Sequence, residues 1–343
     1  MLSASLAIKR SIKSAASLVD AGFGLPRPAL DSVNIFAYHR VVRDIVKAEK
    51  ESVYGIVIST SSFRKHCELL RRTYDVVSLQ TASNLLTSGK EATRPTAVIT
   101  FDDGYVDFYE EAFPVLRELG LPATVFLPTG YIGQDRPLPH DRIFWLLKLT
   151  IDKSIPIADT LRRAGVPHLV AEKFDKRVNL LKLTDLLVHL PNDLRERAIT
   201  GLEGLLGDAF EDYPHEYRLL SWEMVREMSG HGISFGGHTA NHVVLPLEEE
   251  SSAKSEIYSC KETLEKKLGA KVLSFAYPNG EYNPAIRRLT AEAGFTTGVT
   301  TEKGGNGPGT DLLALGRTSL CEESTRGITG QYSAGIAVVR LGA

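Results

Sequence analysis

The chain has 343 residues, 43% hydrophobic and 24% charged, the balance of a globular protein able to bury a sizeable core. A formal net charge of -2 offers no general electrostatic grip on nucleic acid. The cysteines, Cys67, Cys260 and Cys321, are scattered, which argues against thiolate zinc and a disulfide framework and fits a reducing compartment. The opening segment, MLSASLAIKRSIKSAASLVDAGFG, is basic and rich in small residues. Lys9, Arg10 and Lys13 interrupt the apolar stretch that a signal peptide needs, and no run of ~18 apolar residues marks a membrane span. Leu2, Leu6, Ile12 and Leu18 share part of a helix face, which suits either a packing helix or one lying on a membrane surface. A cytoplasmic protein is expected, peripheral at the inner membrane face if that helix binds lipid.

Residues 1–30 are read as this N-terminal helical segment. Strand-like runs follow near Val33–Tyr38, Asp75–Ser78, Ala97–Phe101, Ala123–Leu127, Ile233–Gly236, Val272–Tyr277 and Thr296–Thr300, with a last one near Leu312–Leu315. Helical patterns fall at Ser62–Arg72, Tyr109–Leu119, Trp222–Ser229, Glu249–Leu268 and Pro284–Ala293, the last capped by Asn283 with Pro284 at its first position. Alternation of this kind implies a parallel sheet or an α/β barrel. It breaks over residues 134–218, where leucine-rich helical stretches read as an insertion carried on one loop and overhanging whatever site the loops build. Residues 31–330 form the expected barrel domain around that insertion.

Four stretches carry chemistry, FAYHRVV, TFDDGY, GGHTANHVVL and FAYPNGEY, and each ends or follows a strand. In an α/β barrel those ends converge on one face. Asp102 and Asp103 are adjacent carboxylates that repel each other and lose solvation if covered, so the pair is either a solvated turn or two groups with separate tasks. His238 and His242 stand four apart, a spacing that lets both imidazoles face one ligand, and a carboxylate from another strand end would complete a metal set. An acidic turn beside unrelated histidines is the plain alternative.

TFDDGY, then HTANH, then FAYPNG, in that order, resembles the polysaccharide deacetylases, carbohydrate esterases with a NodB homology domain, and within them the exopolysaccharide and surface-glycan branch. The likeness covers residues 33–144 and 219–320. It implies a distorted (β/α)7 TIM-like barrel with a helical insertion, and hydrolytic N-deacetylation of an N-acetylated amino sugar. The family pattern makes Asp102 the general base and Asp103, His238 and His242 the metal triad, holding a divalent ion, Zn²⁺ first, with Co²⁺ or Ni²⁺ as alternatives. His39 matches the branch's general acid, with a hydrogen-bonded core histidine as the alternative. The backbone N–H of Asn279 matches an oxyanion donor, though Pro-Asn-Gly also suits a plain turn.

Two departures stand out. The family's usual arginine in the FAYPNG segment is Ala276 here, and no histidine follows His242. Arg317, in LGRTSL, is the candidate replacement, with a surface or structural role as the alternative. His66 and His231 read as surface or capping residues, Thr239 as a loop-orienting residue, and Phe144 and Trp145 as either a sugar-stacking face or insertion core. The implied substrate is an N-acetylated glycan or lipid-linked oligosaccharide. A deformylase or other amide hydrolase on the same barrel, and a silent glycan-binding module, are the competing functions.

Overall fold

The computed structural model describes residues 29–53, 55–88, 93–167, 180–210, 212–327 and 329–342, so the N-terminal segment lies almost wholly outside the described residues. The strands are β1 (Val33–Tyr38), β2 (Arg40–Val42), β3 (Val57–Ser59), β4 (Asp75–Val76), β5 (Thr96–Phe101), β6 (Ala123–Leu127), β7 (Ile233–Gly237), β8 (Ser274–Ala276), β9 (Thr297–Val299) and β10 (Thr318–Ser319). Among the described residues, β2 and β3 pair only with each other. The rest form one parallel sheet in the order β10-β1-β5-β6-β7-β8-β9, with β4 beside the first half of β5. A bridge from Val299 to Leu315 and pairing of Phe36 with Thr318 carry the sheet round to its start. The result is a distorted (β/α)7 barrel of the NodB type.

Alternation along the strands separates two cores. Val33, Ile35, Val98, Phe126, Ala276 and Val299, from strands round the ring, pack together with Leu315 and with Leu79, Ala82 and Leu86 of the Leu79–Ser88 helix. The intervening residues, among them Phe36, Tyr38, Ile99, Phe101, Val125 and Leu127, pack outward against the helical layer. β5 is buried at all six positions, which is why TAVITF is apolar and β-branched without a polar face.

The Asn283 cap forms as expected, accepting from the Ile286 amide at 2.9 Å. The stretch read as one helix from Tyr109 starts as a π-helix, Phe108–Ala112, before the α-helix Phe113–Leu119. Pro114 lacks the amide that would bond to the Glu110 carbonyl, so the preceding turn widens. The last expected strand is displaced. Leu312–Leu315 contributes one bridge, and the strand proper is Thr318–Ser319, too short to leave a periodic signal.

Helices Pro139–Asp152, Ala158–Arg163, Leu180–Val188 and Asn192–Leu206 occupy the region between β6 and β7. They enclose their own apolar cluster, which includes Ile143, Leu147, Leu161, Leu187, Ile199 and Leu202.

Candidate active site

The two carboxylates owe their separation to backbone geometry. Asp102 extends β5 by one residue, its amide donating to the Tyr38 carbonyl at 3.0 Å. Asp103 then takes a left-handed conformation at φ 74°, followed by Gly104 at φ 69°. Aspartate tolerates that region better than most residues, and a Cβ on Gly104 would lie 2.6 Å from Leu127. Both carboxylates are buried, with 4% and 2% exposure.

Asp103 Oδ1 lies 3.6 Å from His238 Nε2 and 3.1 Å from His242 Nε2. His238 follows β7 directly, and its Nδ1 is 2.7 Å from the Ala276 carbonyl. Nδ1 therefore carries the proton and donates it, leaving the Nε2 lone pair facing Asp103. One ligand atom from each of the three residues fits within a 4.8 Å span. Asp103 Oδ1 is buried without a hydrogen-bond partner, an expensive state that a cation resolves. One carboxylate oxygen and two imidazole nitrogens are a fitting donor set for Zn²⁺.

The loop bearing His242 is clamped from both sides. Glu256, on the Glu250–Leu268 helix, accepts from the amides of Ala240 and Asn241 at 2.9 and 2.8 Å. Arg195, buried on an insertion helix, donates to the His242 and Asn241 carbonyls at 3.1 and 3.3 Å. Thr239 accepts from the Val243 amide at 3.3 Å, the orienting contact its position suggested. Neither Glu256 nor Arg195 stands out in the sequence, because bonds to backbone carry no motif.

Asp102 faces a different partner. Arg317 donates to its two oxygens at 2.8 and 2.7 Å, a bidentate fork, while its Nε bonds the Thr300 carbonyl at 2.8 Å. Arg317 is fully buried, so of its two sequence readings the surface one does not hold. Burial pushes the Asp102 carboxyl up, and the Arg317 guanidinium more than offsets it, leaving the group below its ordinary value. His39 Nε2 lies 4.0 Å from Asp102 Oδ2, and the side chain keeps 23% of its surface exposed.

These groups open into a cleft of about 540 Å³ lined by His39, Asp102, Asp103, His238, His242 and Asn279. Leu181, Thr184, Asp185, Val188 and His189 of the insertion also line it, so the insertion does overhang the site. His189 ties this roof to the barrel, 3.0 Å from Glu281. Asn279 sits at φ 57° in the tight turn after β8, and a Cβ on the next residue, Gly280, would collide with Thr301. A second cavity of about 560 Å³, bounded by Arg40, Glu51, Asp107, Glu111 and Tyr217 among others, contains none of the candidate residues.

Three sequence readings are decided by the structure: the sugar-stacking alternative for Phe144 and Trp145 does not hold, His66 needs correction, and His231 stands. Phe144 is buried and Trp145 donates to the Asp212 carbonyl at 3.2 Å, and neither lines the cleft. His66 is a core residue at 0% exposure, bonded to the Tyr38 and Thr325 hydroxyls at 3.1 Å each. His231 is exposed at a helix end, as read.

Residues 89–298 match the family model described as polysaccharide deacetylase. YxkH of Bacillus subtilis (strain 168) is 23% identical over 276 residues, spanning 80% of this chain and 70% of that protein. The poly-beta-1,6-N-acetyl-D-glucosamine N-deacetylase of Escherichia coli (strain K12) is 36% identical over 74 residues, 21% of this chain and 11% of that one. The structure of IcaB from Ammonifex degensii superposes with a TM-score of 0.57 at 20% identity, covering 87% of this chain and 96% of that one. With matching motifs, fold and family model, this chain belongs to the polysaccharide deacetylase family.

Proposed function

We propose that the protein hydrolyses the acetamide of an N-acetylated amino sugar of the N-acetylglucosamine type, within a polysaccharide or lipid-linked oligosaccharide of a surface-glycan pathway. The observation that carries this reading is the division of labour at the end of β5, where Asp103 faces two imidazoles and Asp102 faces a guanidinium. Asp103, His238 and His242 hold a divalent cation, Zn²⁺ by donor type with Co²⁺ or Ni²⁺ as substitutes. When bound, such an ion supplies Lewis-acid activation of water and of the amide carbonyl. Asp102 takes the proton of the attacking water, and Arg317 keeps its carboxylate ionised and aligned. The Asn279 amide, at the cleft edge, donates to the developing oxyanion. His39 gives a proton to the departing amine nitrogen, so acetate and a free amino sugar leave.

Residues 31–330 act as the barrel domain, with 134–218 as its insertion. The reaction belongs to the cytoplasm or the inner membrane face, with peripheral contact through the N-terminal segment; recovery of the whole protein in the soluble fraction at low and high salt would remove the membrane part. No helix among the described residues is long and apolar enough to cross a membrane.

The zinc-loaded protein, offered soluble and lipid-linked N-acetyl sugars, should release acetate. Asp102→Asn should bind zinc normally and lose turnover by about 10²–10⁴-fold, while Asp103→Ala should lose both. Formate in place of acetate would identify a deformylase, and absence of any product a silent binding module. Near-wild-type turnover by Asp102→Asn would overturn the assignment of the base.

A further inference from the structure

The loop over residues 238–242 is held in an unusual shape. Thr239 and His242 both adopt left-handed backbone, at φ 63° and 51°, a conformation that residues other than glycine keep only when their surroundings over-determine it. Barrel backbone supplies part of that restraint. The amides of Thr129 and Gly130 donate to the Thr239 and Ala240 carbonyls at 3.2 and 2.8 Å. For the next two carbonyls, of Asn241 and His242, Arg195 is the only donor among the described residues.

Arg195 is 1% exposed and stands near the start of the Asn192–Leu206 helix, on the insertion. Its three hydrogen bonds among the described residues go to neutral oxygens, those two carbonyls and Asn192 Oδ1 at 2.9 Å. Burying a guanidinium against neutral oxygens is costly, and what it secures here is the backbone that carries the His242 imidazole. The contact runs both ways. Glu248, shortly after His242, accepts from the Asn192 amide at 2.7 Å, so the helix end and the loop hold each other.

We propose that Arg195 is a positioning residue of the metal centre: by fixing the His242 carbonyl it aims the His242 imidazole, so that metal binding and docking of the insertion favour each other. The proposal rests on the divalent-metal reading of Asp103, His238 and His242. Outer partners of metal ligands typically contribute about 10–100-fold in metal affinity. Linkage is reciprocal, so the ion strengthens docking of the helix by the same factor.

The test is zinc affinity of the full chain, measured by competition with a chromophoric chelator. Arg195→Met keeps the buried stem and removes the donors; its dissociation constant for zinc should rise by about 10–100-fold. Arg195→Lys, which returns an N–H donor to the carbonyls, should recover part of that loss, a rescue that packing alone does not produce. Arg197→Met, on the same helix but bonded to the Ala164 carbonyl inside the insertion, should leave the constant unchanged. In the unmodified protein, zinc should slow amide exchange over residues 192–199 more than over Ala158–Arg163, a readout that carries the test if Arg195→Met does not fold. With zinc still lost in Asp103→Ala, three results would each overturn this inference alone: wild-type zinc affinity in folded Arg195→Met, an equal loss in Arg197→Met, or exchange over residues 192–199 indifferent to zinc. Wild-type zinc affinity in Asp103→Ala would instead remove the metal reading beneath it.

Discussion

Adjacent aspartates on one strand end acquire opposite chemistry from neighbours more than a hundred residues away. Asp102 meets the guanidinium of Arg317, and Asp103 meets imidazoles from the β7 loop. A planar fork matches a carboxylate in a way that an ammonium cannot. Arg317→Lys should therefore keep zinc and the fold but lower kcat by about 10–100-fold, read by acetate release at saturating substrate. Arg317→Ala leaves a buried carboxylate unpaired and should cost about 3–5 kcal/mol of stability. The carboxylate pair and the histidine spacing were legible because each is a local motif. The partner of Asp102 was only a candidate, since a lone arginine in a late segment has no signature until the ring closes round it.

The segments that sequence patterns missed failed for identifiable reasons. The Leu79–Ser88 helix plugs the barrel, yet its Thr, Ser and Asn residues have low helix propensity and dilute the apolar stripe. His66 reads as a surface or capping residue in a charged stretch with Arg64, Lys65 and Glu68. The better signal was on the helix face, where Phe63, His66, Cys67 and Leu70 recur at three- and four-residue steps and are all buried. Burial lowers the His66 imidazole from 6.5 to about 4. The unfolded chain binds that proton near pH 6.5 and the folded chain does not until about pH 4, so stability is present above 6.5 and falls as pH drops through this window. Complete titration removes about 3 kcal/mol. In His66→Gln the dependence of the melting temperature on pH between 7 and 4.5 should flatten; an unchanged slope would assign the acid sensitivity elsewhere.

At the scale of the whole molecule, the insertion's apolar cluster and the barrel meet over one cleft. The insertion has its own cluster, and Arg195, His140 and His189 are its polar contacts with the barrel's site. An overhanging insertion could be read from where the strand–helix alternation stops, but not which of its side chains reach down. That depends on helix rotation, which leucine periodicity leaves undetermined. His189→Ala should loosen the roof. An exposed ion pair contributes ~1 kcal/mol or less, so KM should rise by about two- to fivefold. Amide exchange across Leu180–Val188 should quicken while zinc affinity stays unchanged.

The segment that shuts the barrel also delivers the arginine that aligns Asp102, since Arg317 lies between the Val299–Leu315 bridge and β10. During translation, Asp102 and Asp103 emerge long before this late partner exists. A nascent chain can thus own both carboxylates, His238 and His242 and most of its sheet, and still lack the partner that pairs with Asp102. Alignment of Asp102 and completion of the ring therefore become a single event.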